Sequence, residues 1–272
     1  MVKQKNLAET SSTVRAGLGG AYSFRSVTRL RWQLPTELEL GSHVQQNLAG
    51  GLSSYTIFAK PGDITADPAR WKATPHRVFV NLPASTTPEL GLEIVEPKAM
   101  LGFSKRYGLL EHNTVNDRWV LQVQSTASLG YISSTIEGFG PEEFGELIRM
   151  KSQALLRFAW KTGDKRVRDE IGRYTAQELQ AQVDIATGAV VLNVANAWTL
   201  ICMLFLRDHA AGKTAVCANP ECPAPYFLKS RKTQKICEAG ECVAWAQRNY
   251  ALRWWRENES KASKGKLEGK AK

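Results

Sequence analysis

The spacing of apolar residues along this chain changes character near Pro97. Between Tyr22 and about Val95 they come in short runs broken by Gly, Pro and Asp, as at Pro61-Gly62-Asp63 and Leu82-Pro83. The runs RSVTRLRWQL and HRVFVNL alternate or cluster β-branched and aromatic residues, so this part is predicted to be strands and loops. Beyond Pro97 the intervals lengthen. Lys98 to Leu110 is predicted to be a helix, with Ala99, Phe103, Tyr107 and Leu110 approximating one face. Trp119 to Val123 reads equally as a short strand or as the opening of another helix. Pro141 stands where a first helical turn tolerates proline, and Glu142, Glu143 and Glu146 suit the positive end of the helix dipole. Phe144, Leu147, Ile148, Ala154, Leu155 and Ala159 follow at helical intervals. Further helices are predicted over Thr175 to Asp184, entered through a Thr-Ala-Gln-Glu capping pattern, and over Ala189 to Ala210.

The fold class these elements imply is α+β: a mixed strand and loop region, a helical middle and a small C-terminal lobe. The expected divisions are a flexible start over 1–21, a mixed body over 22–211 that is helical from about 141, a lobe over 212–258 ending in a helix, and a basic flexible tail over 259–272. The start is polar and rich in Ser, Thr and Gly. Ala189 to Leu206 carries no charge and approaches membrane-spanning length. Asn193, Asn196 and Thr199 interrupt it, and a helix buried in the protein core is the better reading.

Charge sharpens the division. The chain has a formal net charge of +10 over 272 residues. Residues 212–272 hold 13 Lys and Arg against 6 Asp and Glu, whereas the other 211 residues hold 23 against 20. The basic excess is therefore local, and a local excess attracts polyanions.

Four of the five cysteines explain why a lobe should form there. In CANPECPAPYFLKSRKTQKICEAGEC, Cys217 and Cys222 enclose four residues, Cys237 and Cys242 enclose four, and 14 separate the pairs. Two chelating turns joined by a longer loop can bring four thiolates to one tetrahedral Zn2+, with metal–sulfur distances of about 2.3 Å. Asn219-Pro220 and Ala239-Gly240 let each turn bend. Four unrelated thiols and a disulfide pair are the alternatives. The chain start has no apolar stretch of signal-peptide length, so a reducing cytoplasm is expected, which disfavours the disulfide. Four thiolates leave no ligand position open for water, so the predicted ion is structural. Cys202 reads as a small buried hydrophobe, and His209 as a helix-end residue rather than a rival ligand.

CANPEC, YFLKSR and KICEAGEC followed by a basic helix resemble the CGNR-type, treble-clef-like zinc finger of bacterial proteins over Cys217 to Arg256. FSKRYGLL, at Phe103 to Leu110, is similar to a stretch in the N-terminal regions of the same proteins. The resemblance implies a cytoplasmic protein in which a finger follows a ligand- or stress-sensing domain, with a role in transcription. Where that family has Gly-Asn-Arg after the fourth cysteine, this chain has Val243, Ala244 and Trp245.

Lys229, Arg231, Lys232 and Lys235 lie between the cysteine pairs, and Arg248, Arg253 and Arg256 on the helix predicted over Val243 to Asn258. Side chains of this kind neutralise phosphates and release counterions, so DNA is the expected partner, with RNA as the alternative polymer. A solvated basic end, or a finger that braces a protein–protein contact, is the competing reading. A homodimer and a small-molecule effector are both compatible with the sequence. Trp245, Tyr250, Trp254 and Trp255 are expected to pack the finger onto its neighbour, and Tyr226, Phe227 and Leu228 to fill a miniature core beside the metal.

No enzyme is predicted. Gly212-Lys213-Thr214 lacks the upstream glycine of a phosphate loop, and Gly17, Gly19 and Gly20 lack a complete dinucleotide fingerprint. Glu137, Glu142, Glu143 and Glu146 read as solvated carboxylates of a first helical turn.

Overall fold

The computed structural model describes residues 29–41, 44–45, 53–62, 64–65, 74–87, 91–111, 113–115, 118–127, 129–135, 138–186, 188 and 190–268. The start predicted to be flexible lies outside them. Strands β1 (Arg29–Gln33), β2 (Thr36–Leu40), β3 (Val44–Gln45), β4 (Ser53–Lys60) and β5 (Ile64–Thr65) precede α1 (Pro75–Val80). Next come β6 (Ala84–Thr87), β7 (Leu92–Val95), α2 (Pro97–Tyr107), β8 (Asn113–Val115), β9 (Arg118–Gln124) and β10 (Thr126–Ala127). Then follow α3 (Leu129–Thr135), α4 (Pro141–Arg149), α5 (Gln153–Thr162), α6 (Lys165–Glu178), β11 (Leu179–Val183), β12 (Val190–Val194) and α7 (Ala197–Ala210). After α7 come β13 (Thr214–Val216), β14 (Tyr226–Leu228) and α8 (Gly240–Glu268).

The architecture is α+β. One sheet has the order β2-β4-β9-β8, with β3 also paired to β4; a second has the order β11-β12-β1-β5. In the second, β1 runs parallel to β12, setting Leu30 opposite Leu192 across most of the chain. Tyr55, Ile57 and Ala59 of β4 alternate inward and are buried, as a one-sided sheet requires. The same core takes in α1, α2 and α7, with the Phe79 ring 5.6 Å from both Phe103 and Trp198 in edge-on geometry.

Several predicted elements are corrected. HRVFVNL is not a strand: its first five residues belong to α1, which starts at Pro75 and buries His76, Phe79 and Val80 at helical spacing. Tertiary burial overrides the β-branched composition there. The expected helix over Thr175 to Asp184 is the last turn of α6 followed by β11. Asp164 is the true N-cap, accepting from the backbone of Arg166 and Val167 at 2.8 and 3.3 Å. Thr175 instead donates its hydroxyl back to Ile171 O at 2.7 Å. The middle is accordingly not wholly helical.

The uncharged stretch from Ala189 is also split. Val190, Val191 and Val194 enter β12, and Asn196 caps α7 by accepting from Thr199 N at 2.8 Å. What remains is a 14-residue helix of about 21 Å. Among the described residues no helix is long and apolar enough to cross a membrane. The helix predicted to run on from Pro141 breaks after Arg149, where Lys151 has a φ of 55° and Ser152 caps α5. Helix α2 ends at Gly108, whose φ of 97° suits a residue without a Cβ. Trp119 to Val123 lies in a strand.

Candidate metal centre

Strand β13 delivers Cys217, and the pairing of Val216 with Tyr226 folds the chain back so that Cys217 and Cys222 sit in the loop of one hairpin. The hairpin thus wraps the first cysteine pair. Cys217 N donates to Pro225 O at 2.7 Å and Cys222 N to Asn219 O at 3.2 Å, which fixes the turn. On the other side Cys237 ends the long loop, and Cys242 occupies the first turn of α8, where the helix dipole favours a thiolate.

All four sulfurs lie within 4.8 Å of one another, and all four residues are buried. Cys222 Sγ and Cys237 Sγ are 3.6 Å apart. A disulfide needs about 2.0 Å, whereas a tetrahedral ion with metal–sulfur bonds near 2.3 Å sets sulfurs about 3.8 Å apart. The geometry is that of a ligand set able to hold one metal ion.

Two of the sulfurs also have an N–H donor. Cys237 N donates to Cys217 Sγ at 3.4 Å, and the Asn219 amide donates to Cys242 Sγ at 3.3 Å. Such donors orient the ligands and spread their negative charge. Burial pushes the Cys222 thiol up to about 12 and raises Cys237, whereas the Asn219 hydrogen bond holds Cys242 below the ordinary thiol value. Four thiolates this close need a cation to coexist.

Asn219 is the residue that sequence reasoning missed. Beyond its bond to Cys242 it accepts from Glu221 N at 3.1 Å, so one buried side chain shapes the first turn and ties it to α8. An Asn-Pro pair signals a turn, but nothing in the sequence signals a bond to a cysteine 23 positions away. His209 is no ligand: its Nδ1 lies 2.8 Å from Thr214 Oγ1 and its ring rests on Phe205. Cys202 is buried in α7, away from the cluster, as a small apolar residue.

The lobe is seated on the body through few, specific contacts. Asn81, at the end of α1, behaves like a strand neighbour of Tyr226, donating to its carbonyl at 2.7 Å and accepting from its N–H at 3.1 Å. Trp160 Nε1 donates to Ala215 O at 3.0 Å. Strand alternation divides the predicted miniature core: Phe227 packs among the cysteines with Ala215 and Ile236, while Tyr226 and Leu228 turn to the body core.

The seven basic residues are exposed or half-exposed, and among the described residues none forms an ion pair. Lys229 N is tied to Lys213 O, and the loop carrying Arg231 and Lys232 is braced by Ser230, which bonds Gln234 at 2.8 Å and Glu238 at 3.2 Å. Lys235, Arg253 and Arg256 meet at one groove beside α8; Lys229, Arg231, Lys232 and Arg248 do not line it. The expected packing of the helix aromatics onto the body is corrected. Tyr250, Trp254 and Trp255 are 63%, 49% and 61% exposed, and Trp245 is half-buried. The reason is length and direction: α8 runs 29 residues, about 43 Å, through Glu268, well past the end expected at Asn258. Lys, Ala, Leu and Glu continue it across Gly265.

In the body, a cavity of about 280 Å³ is lined by residues including Glu93, Glu111, Arg149, Lys151 and Gln153. Arg157 pairs with Glu93 at 3.3 Å, and Lys151 pairs with Glu111.

No family model matches the chain, and neither the curated proteins nor the solved structures include a significant match to it.

Proposed function

We propose that this is a zinc-finger protein that binds nucleic acid, DNA in the first instance, and regulates transcription. The observation that carries the reading is the set of unpaired, solvent-facing cations on a scaffold that four cysteines brace. Zinc is the proposed ion because an all-thiolate tetrahedral set suits it, with no open position for chemistry. We read the order of the lobe, a hairpin turn carrying two ligands and then a helix whose first turn carries the fourth, as treble-clef-like, and this supports the CGNR-type reading. Arginines at fixed spacing on a helix can contact phosphates and reach base edges.

The body is proposed to sense a small effector or to mediate assembly, including self-association. The mixed-charge cavity supports the sensing role: Gln153, on its wall, donates to Phe79 O and Leu82 O, beside the Asn81 that seats the finger. A second reading, a zinc-braced protein–protein module, is favoured by the exposed Tyr250, Leu252, Trp254 and Trp255.

Titrating labelled duplex DNA with the zinc-loaded protein at several salt concentrations separates the two. The regulator reading expects affinity to fall steeply with salt, the slope losing about 0.9 for each phosphate contact removed in Arg248→Ala and Arg253→Ala. Absent binding, or binding that both substitutions leave unchanged, overturns it.

A further inference from the structure

The groove beside α8 brings basic and aromatic side chains together in one hollow. About 490 Å³ in volume, it lies between the helix and the stretch at Ala218, Lys235 and Ile236. Trp245, Asn249 and Tyr250 line its helical side together with Arg253 and Arg256, and no acidic residue lines it. The Arg253 guanidinium lies 6.0 Å from the centre of the Tyr250 ring, leaving most of that residue open to solvent.

We propose that this groove takes an unpaired nucleobase of single-stranded nucleic acid, stacked against Tyr250 and Trp245, with the flanking phosphates on Lys235, Arg253 and Arg256. The proposal rests on the nucleic-acid reading above and narrows it. In a duplex both faces of each base are covered by neighbouring pairs, so exposed aromatic faces gain nothing from stacking there. An unstacked base offers a π-face of any sequence, and its phosphates satisfy the three cations. An acidic peptide would satisfy the charge but leave the aromatic walls unused.

Fluorescence anisotropy of the zinc-loaded full chain tests this, with labelled oligothymidylate, oligouridylate and a mixed-sequence hairpin duplex as probes. Single strands are expected to bind on the order of ten-fold tighter than the duplex, which is about what one stacked base contributes. Tyr250→Ala is expected to weaken single-strand binding by roughly 5- to 100-fold, with Tyr250→Phe restoring it. Because Tyr250 is exposed, zinc content and helical circular dichroism should not change. Preference for oligothymidylate or for oligouridylate tells DNA from RNA, and either supports the groove. Duplex binding as tight as single-strand binding, or a Tyr250→Ala protein that binds single strands as well as before, overturns the groove and leaves the nucleic-acid reading standing. Binding to neither the single strands nor the duplex overturns both.

Discussion

Around Phe79 the body packs aromatic rings on several sides, whereas around Cys242 the C-terminal lobe has four sulfurs, Phe227 and two partly buried aliphatic residues. The body buries enough apolar surface to fold by packing alone. A lobe of this size does not, because small units bury too little of the surface that their unfolded chain exposes. The contrast teaches where each region has its means of stability: in excluded water for the body, and for the lobe in a cysteine cluster that could hold a metal ion. It also explains why α8 leaves its aromatics in solvent. A helix anchored at its first turn by Cys242 and Asn219 holds its start in place without burying the rest.

Stripping the metal should break the comparison most completely. Coordination of this kind supplies on the order of 10 kcal/mol to folding. Chelation should abolish hydrogen-exchange protection over 217–242 while α5 and α7 stay protected; retained protection in the lobe would show that packing suffices. Phe79→Ala should reverse the pattern, costing the body about 3–5 kcal/mol by urea titration. Asn219→Ala is expected to weaken metal binding by about 10- to 100-fold in a competition with a chromogenic chelator, since it frees Cys242 of its donor and loosens the first turn.

Acid should act on the body too, through one buried pair. His76 Nε2 lies 3.1 Å from Asp208 Oδ2, both side chains almost wholly enclosed, with Arg207 bonding the same carboxylate. Burial lowers the His76 imidazole despite the pull of Asp208, so the fold disfavours its charged form. Burial alone would raise the Asp208 carboxyl, but the adjoining His76 ring and the hydrogen bonds from Arg207 outweigh it and hold it well below the usual carboxylate range. Both signs agree. The unfolded imidazole binds a proton as pH falls below 6.5, which the folded one resists, so stability begins to fall there. The unfolded carboxylate adds a second loss below 3.8. Urea midpoints should therefore drop from pH 7 to 4, and His76→Gln should flatten the upper part of that decline. The smallest effect sharpens the contrast: Trp255→Ala, on the exposed length of α8, should change the melting temperature by no more than about 0.5 kcal/mol of stability implies.

Sequence spacing by itself determined the cysteine set, the α+β class, α2 and the place where basic charge concentrates. These are local properties: a Cys-x4-Cys turn or an apolar interval is written within a few residues. Only the tertiary structure decided the rest. HRVFVNL contributes to a helix because its phenylalanine and its neighbours meet α2 and α7, and Val190 to Val194 is a strand because β1 lies alongside it from the far end of the chain. Whether an aromatic on α8 faces solvent or core depends on where the first turn, held at Cys242 by Asn219, points the helix. Asn81 and Asn219 gain their roles from partners 145 and 23 positions away. Contacts at that distance depend on how the whole chain is folded back, and no interval within one element encodes them.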